Sequence, residues 1–339
     1  MPSRRRLAKV LVGLAVSGGL LVYLFWDVDL KAIGARLAAT RWGFLVASVA
    51  LNQLGLWTRA RRWYYLFPPG SRPSRLFSAV MIGYAGNNLL PLRAGEVLRA
   101  YVVARRGQRL WTTVATIVVE RVLDGLVVGT ILALLLLAVA LPGELWWAAT
   151  IFVAVDLVLL AMLAVMALAP EPCRRLLLSL VRRRPALTRR LSDTLDTFNE
   201  GLRGARTLDH LLPILAWSAA NWLLWALSAW TGLRAARLEL PMAAAWAVLG
   251  FVGLGVSLPS SPGFAGVVQA ATVLALALFG VPRNEALSFS ILLHAAQFFP
   301  VTLWGLIMLL VEHVSLTEAT RGAPGPLHPR PGAEPGQSP

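Results

Sequence analysis

Six charged residues crowd into a part of the chain whose surroundings are strongly apolar. Arg93, Glu96 and Arg99 lie in Leu92-Arg93-Ala94-Gly95-Glu96-Val97-Leu98-Arg99, and Glu120, Arg121 and Asp124 in Glu120-Arg121-Val122-Leu123-Asp124-Gly125. Their formal charges cancel. A charge at the centre of a membrane helix costs roughly 2.5–3.5 kcal/mol on insertion scales, so such groups pair with one another or face a water-filled cavity. Glu120 and Asp124 are four residues apart, share a helix face and repel each other unless a cation sits between them. Arg93 and Arg99 are the nearest candidates for that cation. Arg121, turned about 100° from Glu120, is expected to meet Asp124 or the aqueous edge of the bilayer.

Two depths fit this spacing. Counted from Arg109, Glu120 is roughly 16 Å along a helix, near mid-bilayer, and the charges then form a polar site. Residues 125–141 alone would reach about 25 Å, nearly a full span, and the charges would then be a structural clasp at the inner headgroups.

The elements that must position these residues are interrupted. The apolar stretch 75–106 is broken by Asn87-Asn88-Leu89-Leu90-Pro91, and the stretch 243–281 by Pro259-Ser260-Ser261-Pro262-Gly263. Proline removes a backbone donor and clashes with the preceding turn, so neither stretch is one straight helix. Freed backbone groups at membrane depth persist only where protein or water satisfies them, which predicts two re-entrant hairpins of half-helices. Returning arms that begin near Gly95 and Gly263 would aim helix N-termini, each with about half a positive charge, at the membrane interior. With Arg93 and Arg99 they would make an anion site. Asn87, Asn88, Ser260, Ser261 and Gln269 either add neutral hydrogen bonds to it or satisfy the broken backbone.

Six further stretches, 7–26, 42–63, 111–141, 145–168, 209–233 and 286–312, are long and apolar enough to span a bilayer. The expected fold is all-α: a polytopic integral membrane bundle of six spanning helices plus two broken re-entrant hairpins, arranged as an inverted repeat over residues 1–313. The composition agrees, with 57% hydrophobic and 14% charged residues, where soluble chains carry about 25% charged. The net charge of +15 comes from arginines in the breaks between apolar stretches, a positive-inside pattern that implies anionic lipid and argues against nucleic acid.

Arg4 to Lys9, the group Arg59, Arg61, Arg62, Arg72 and Arg75, and the basic segment 171–207 are expected on the cytoplasmic side of the plasma membrane, with both termini. Segment 171–207 reads as amphipathic and residues 314–339, rich in proline, as a disordered tail. The early apolar run ends in Leu24-Phe25-Trp26 rather than small residues, so it reads as an uncleaved helix. One cysteine, Cys173, and four scattered histidines offer no disulfide and no metal spacing, and no nucleotide or nucleophile motif implies a cofactor.

Three blocks in order, Asn87 to Arg99, Glu120-Arg121-x-x-Asp124 and Leu258-Pro259-Ser260-Ser261-Pro262-Gly263-Phe264-Ala265-Gly266, resemble the flippase-like membrane domain of lysylphosphatidylglycerol synthases and their stand-alone relatives. The resemblance covers about residues 7–313. It implies translocation of aminoacylated phosphatidylglycerol or, in other members, of polyprenyl-phosphate-linked sugars. The chain ends soon after its last helix, without the synthases' soluble aminoacyl-transferring domain, and carries Gln269 where many relatives have Glu.

The expected activity is movement of an anionic phospholipid or lipid-linked sugar, not catalysis. Arg93, Arg99 and the helix N-termini would hold the phosphate, while Glu120 and Asp124 would hold a cationic group or a proton. Two other readings remain. One is a membrane-embedded transferase with Glu120 or Asp124 as general base; the other is a scaffold that recruits a separate lipid-modifying enzyme through segment 171–207.

Overall fold

The structure is a computed structural model, and it describes residues 30–90, 93–138, 143–181, 185–202, 208–257 and 261–312. The expected first span 7–26, Pro91, Pro142, Ser260 and the tail 314–339 lie outside the described residues. The described secondary structure is helical throughout: α1 (Leu30–Ala38), α2 (Trp42–Leu66), α3 (Leu76–Leu89), α4 (Ala94–Arg105), α5 (Leu110–Ala138), α6 (Gly143–Leu168), α7 (Pro170–Val181), α8 (Pro185–Leu202), α9 (Leu208–Ala235), α10 (Met242–Ser257), α11 (Val267–Ala277) and α12 (Arg283–Val311). Among the described residues three helices are long and apolar enough to cross a membrane by length and composition, over Trp146–Leu168, Asp209–Ala235 and Arg283–Val311.

Both proline-marked stretches divide where the backbone chemistry requires. α3 and α4 have 14 and 12 residues, α10 and α11 have 16 and 11. At 1.5 Å per residue each is about 16–24 Å long, short of the roughly 30 Å hydrocarbon core. A proline kink in one long helix would leave its arms end to end; here they fold back on each other. α4 packs so closely along α3 that a Cβ on Gly95 would overlap the Gly83 carbonyl oxygen and stand 2.6 Å from Asn87 N. No residue larger than glycine fits that crossing. The turns are tight: Arg93 caps α4 at φ 54°, and a 3-10 turn at Pro262–Phe264 carries Gly263 at φ 67° and Phe264 at φ 58°. The second arm begins at Val267, four residues after Gly263, so Gly263 belongs to the turn rather than to the arm's N-terminus.

α2 and α9 form an antiparallel pair. Ser48 Oγ donates to Ser228 O at 2.7 Å and Ser228 Oγ returns the bond to Ser48 O at 2.8 Å, while further along Trp57 packs edge-on against Trp217 at 5.7 Å. Around this pair the hairpins are exchanged: α5 packs on α4 and on α10, and α12 packs on α11 and on α3.

Two large apolar cores form among the described residues. One gathers Leu56, Trp63, Met81, Ile82, Leu98 and Ile117; the other gathers Val128, Leu132, Trp222, Phe251, Leu276 and Phe289. On α5 the charged residues Glu120 and Asp124 stand between Ile117 of the first and Val128 of the second. The basic segment forms α7 and α8, and α8 lies against the start of α5, where Thr112 Oγ1 donates to Thr197 O at 3.0 Å and Arg109 pairs with Glu200 at 2.9 Å.

Helix α2 continues to Leu66, past the boundary at residue 63 that hydropathy suggests. This corrects the placement of Arg59 and Arg62 with the cytoplasmic arginines. Their side chains are 1% and 0% exposed, on the inward face of α2, whereas Arg61 between them is exposed.

Candidate functional site

Three helices deliver the charges of the cluster. α2 contributes Arg59 and Arg62, three residues apart and so on one face; α4 contributes Glu96 and Arg99 by the same spacing; α5 contributes Glu120, Arg121 and Asp124. Glu120 is fully buried. Arg99 meets it with both terminal nitrogens, Nη1 to Oε1 at 3.2 Å and Nη2 to Oε2, and Arg59 Nη2 contacts Oε1. Arg62 Nη2 is 3.5 Å from the same oxygen. Asp124 accepts from Arg59 Nη2 at 2.5 Å, and its Oδ1 lies 2.8 Å from Arg62 Nη1, off the line a hydrogen bond needs, so that contact is electrostatic.

The cation between the two carboxylates is therefore Arg59, supported by Arg62; of the two expected from the sequence, Arg99 reaches Glu120 alone and Arg93 pairs with neither among the described residues. Arg121 turns the other way and bonds Glu96, with Asp124 4.0 Å distant. Asn87 Nδ2 donates to Glu96 at 3.5 Å.

Aromatic side chains wall the cluster. The Arg99 guanidinium lies 3.7 Å from the Trp63 ring centroid, and Arg59 lies within 6 Å of Tyr84 and Trp225. Trp63 is held by its own Nε1 bond to Thr116 Oγ1 at 2.9 Å. Ring faces favour cations most where water is excluded.

The charges do not balance. Arg59, Arg62, Arg93, Arg99 and Arg121 face Glu96, Glu120 and Asp124, five cations against three anions. The buried Nε of each of the five arginines lacks a hydrogen-bond partner. A guanidinium has five donors and no acceptor, so the cluster is over-supplied with donors and suits an added anion. Arg93 makes no ion pair among the described residues; it lies at the first break with its guanidinium 5.8 Å from the Phe264 ring of the second.

The two breaks thus meet. Asn88 Nδ2 donates to Thr302 Oγ1 at 2.8 Å, and a Cβ on Gly263 would stand 3.3 Å from Asn88 O. Gln269 is committed locally: its Oε1 accepts from Gly266 N at 2.8 Å, capping α11, and its Nε2 lies 2.9 Å from His294 Nδ1. The amide must donate there, so His294 carries its proton on Nε2, which donates to Gly263 O at 2.8 Å. Ser261 Oγ donates to Ala265 O at 3.3 Å. Asn87, Glu96, Arg99, Glu120, Arg121 and Asp124 are brought together, with Arg93 at their edge. Asn88 reaches from the first arm to Thr302 and faces Gly263; Ser261, Gly263 and Gln269 belong to the second break, and Ser260 lies outside the described residues.

Depth follows from a neighbour that sequence reasoning passed over. Asp156 stands midway along the span Trp146–Leu168, about 15 Å from one end and 18 Å from the other. A Cβ on Gly125 would run into its carboxyl. Gly125 adjoins Asp124 in the chain, so the cluster is level with the middle of the most apolar of the three spans rather than with its ends. The signal for Asp156 was a single charge inside a run without another from Glu144 to Glu171.

A multi-helix bundle with a sheltered ionic cluster beside two broken helices is the construction of an integral membrane protein with an internal polar site. The chain belongs to the family described as the lysylphosphatidylglycerol synthase TM region, which it matches over residues 10–305. That description ties the family to lipid modification. No curated protein and no solved structure matches the chain.

Proposed function

We propose that this protein is a translocator that carries the anionic headgroup of a phospholipid, or of a polyprenyl-phosphate-linked sugar, between the leaflets of the plasma membrane. The observation that carries this reading is the excess of two cations in the cluster. An unpaired phosphate in hydrocarbon faces a desolvation cost of tens of kcal/mol in the idealised limit, and a pocket already over-supplied with guanidinium donors offsets it. Arg93, with no carboxylate partner, is the first contact, and Arg59, Arg62 and Arg99 provide the field behind it. Acyl or prenyl tails stay in the bilayer.

In this reading α3–α4 and α10–α11 are re-entrant hairpins, and they join six spanning helices, the first of them residues 7–26. The exchanged packing of α5 and α12 on each other's hairpins supports an inverted repeat. Rocking one half against the other would expose the site to each side in turn. Both termini and the basic helices α7 and α8 face the cytoplasm. No catalytic step is assigned: Glu120, gripped by three guanidinium groups, is a weak general base.

Purified protein in vesicles that contain headgroup-labelled phosphatidylglycerol tests this. Exchange of label between leaflets without any new lipid species supports translocation. A covalently altered lipid would mean a transferase, and neither result would mean a scaffold.

A further inference from the structure

Every carboxylate in the cluster has a guanidinium partner, but Asp156 does not. It is 7% exposed, its Oδ2 has no hydrogen-bond partner, and it makes no ion pair among the described residues. Its Oδ1 occupies the notch left by the missing side chain of Gly125. A cavity of about 150 Å³ opens beside it, lined by Gly125, Gly129, Thr130, Val153 and Leu157. By volume it has room for several waters, and Asp156 is its ionisable lining residue. An ionised carboxylate without a cation in hydrocarbon is costly, whereas the neutral acid is tolerated and can donate its proton to a water in the groove.

The charged groups near it are few. α5 presents Asp124 and Arg121; the first is engaged by Arg59 and Arg62, the second by Glu96. Glu171, Arg174 and Arg175 of α7 begin about 20 Å further along the helix axis. Asp196 of α8 is paired with Arg174 at 3.3 Å.

We propose that Asp156 is a proton-binding site, and that its proton exchanges with each crossing of the lipid headgroup. The coupling rests on the translocation reading above; the proton site itself does not. With Asp156 neutral the adjoining cluster keeps its full cationic excess of two and retains an anion. When the O–H bond breaks and the proton leaves through the groove, the new carboxylate beside Asp124 cuts that excess to one and loosens the hold. No other reactant is needed.

Two measurements on the full chain in vesicles test this. Infrared difference spectra between acid and neutral pH should show a carboxylic-acid C=O band that disappears in Asp156→Asn and persists, shifted, in Asp156→Glu. With the lumen one pH unit more acid than the outside, labelled phosphatidylglycerol should distribute between leaflets with a bias of up to about tenfold in the wild type, the equivalent of one coupled proton. Asp156→Asn should show no bias.

A titrating band unchanged in Asp156→Asn overturns the proton site. An equal bias in wild type and Asp156→Asn overturns the coupling. If the band behaves as expected while the wild type moves no lipid, the proton site stands and the translocation reading falls.

Discussion

Removing the charge of Glu120 should destabilise the protein, and neutralising Arg59 as well should cost less than the two single losses added together. Glu120→Gln keeps the shape of the side chain but leaves Arg59 and Arg62 with Asp124 and Arg99 with Glu96 at 3.8 Å, all three guanidinium groups 2% exposed or less. Breaking one member of a buried pair costs about 3–5 kcal/mol, because the partner stays buried and uncompensated. The isosteric amide still accepts one hydrogen bond, which puts the loss near the lower end, at about 3 kcal/mol. Arg59→Gln should cost about the same by stranding parts of Glu120 and Asp124.

In the double variant neither charge is stranded, and coupling between directly paired residues runs from about 0.5 to 3 kcal/mol. The expected loss is then about 4 kcal/mol rather than about 6. Against a typical total of about 5–15 kcal/mol, the single variants still fold. The assay is reversible unfolding in mixed micelles, followed by far-ultraviolet circular dichroism, with the exposed Arg61→Gln as a control expected within about 0.5 kcal/mol of wild type. Losses that add to within about 0.5 kcal/mol would refute the claim that these two charges hold each other.

Gly95→Ala improves helix propensity by about 1 kcal/mol, yet its methyl must displace the Gly83 carbonyl. The net outcome should be a loss of about 1–2 kcal/mol, read as a lower thermal midpoint in detergent. A topology reporter fused at Arg237, between α9 and α10, should read extracellular, and a cytoplasmic signal would overturn the proposed orientation. Asp124→Asn should abolish lipid movement while the purified protein stays folded; loss of folded protein instead would mean that the cluster serves structure alone.

The breaks were legible because proline acts on the backbone locally: α3 ends at Leu89, two residues before Pro91 and with Asn87 and Asn88 still inside it, and α10 ends at Ser257, two residues before Pro259. The hairpin charges were legible because an ion in an apolar run is costly. Arg59 and Arg62 were not, since arginines in the last residues of an apolar stretch, here 42–63, read as interfacial. Only the side to which each arginine points separates buried Arg59 and Arg62 from exposed Arg61, and that depends on which helices pack against α2. Asp156 was lost by averaging: one acid barely lowers the mean hydropathy of 2.8 along its span. For Gln269 the sequence left a ligand contact and a backbone contact both open; its amide serves Gly266 and His294, contacts set by how the chain turns after Phe264.

The sharpest measurement uses Arg93, whose guanidinium has an aromatic neighbour but no carboxylate to hold it in place. Replacing it with glutamine strands no buried anion, so the folded protein should melt within about 0.5 kcal/mol of wild type. Movement of labelled phosphatidylglycerol in vesicles should fall at least about tenfold, since a hydrogen bond to a charged group contributes about 1.5–3 kcal/mol. An Arg93→Gln protein that is equally stable and moves the lipid as fast as wild type would contradict the assignment of this cluster as the anion's path.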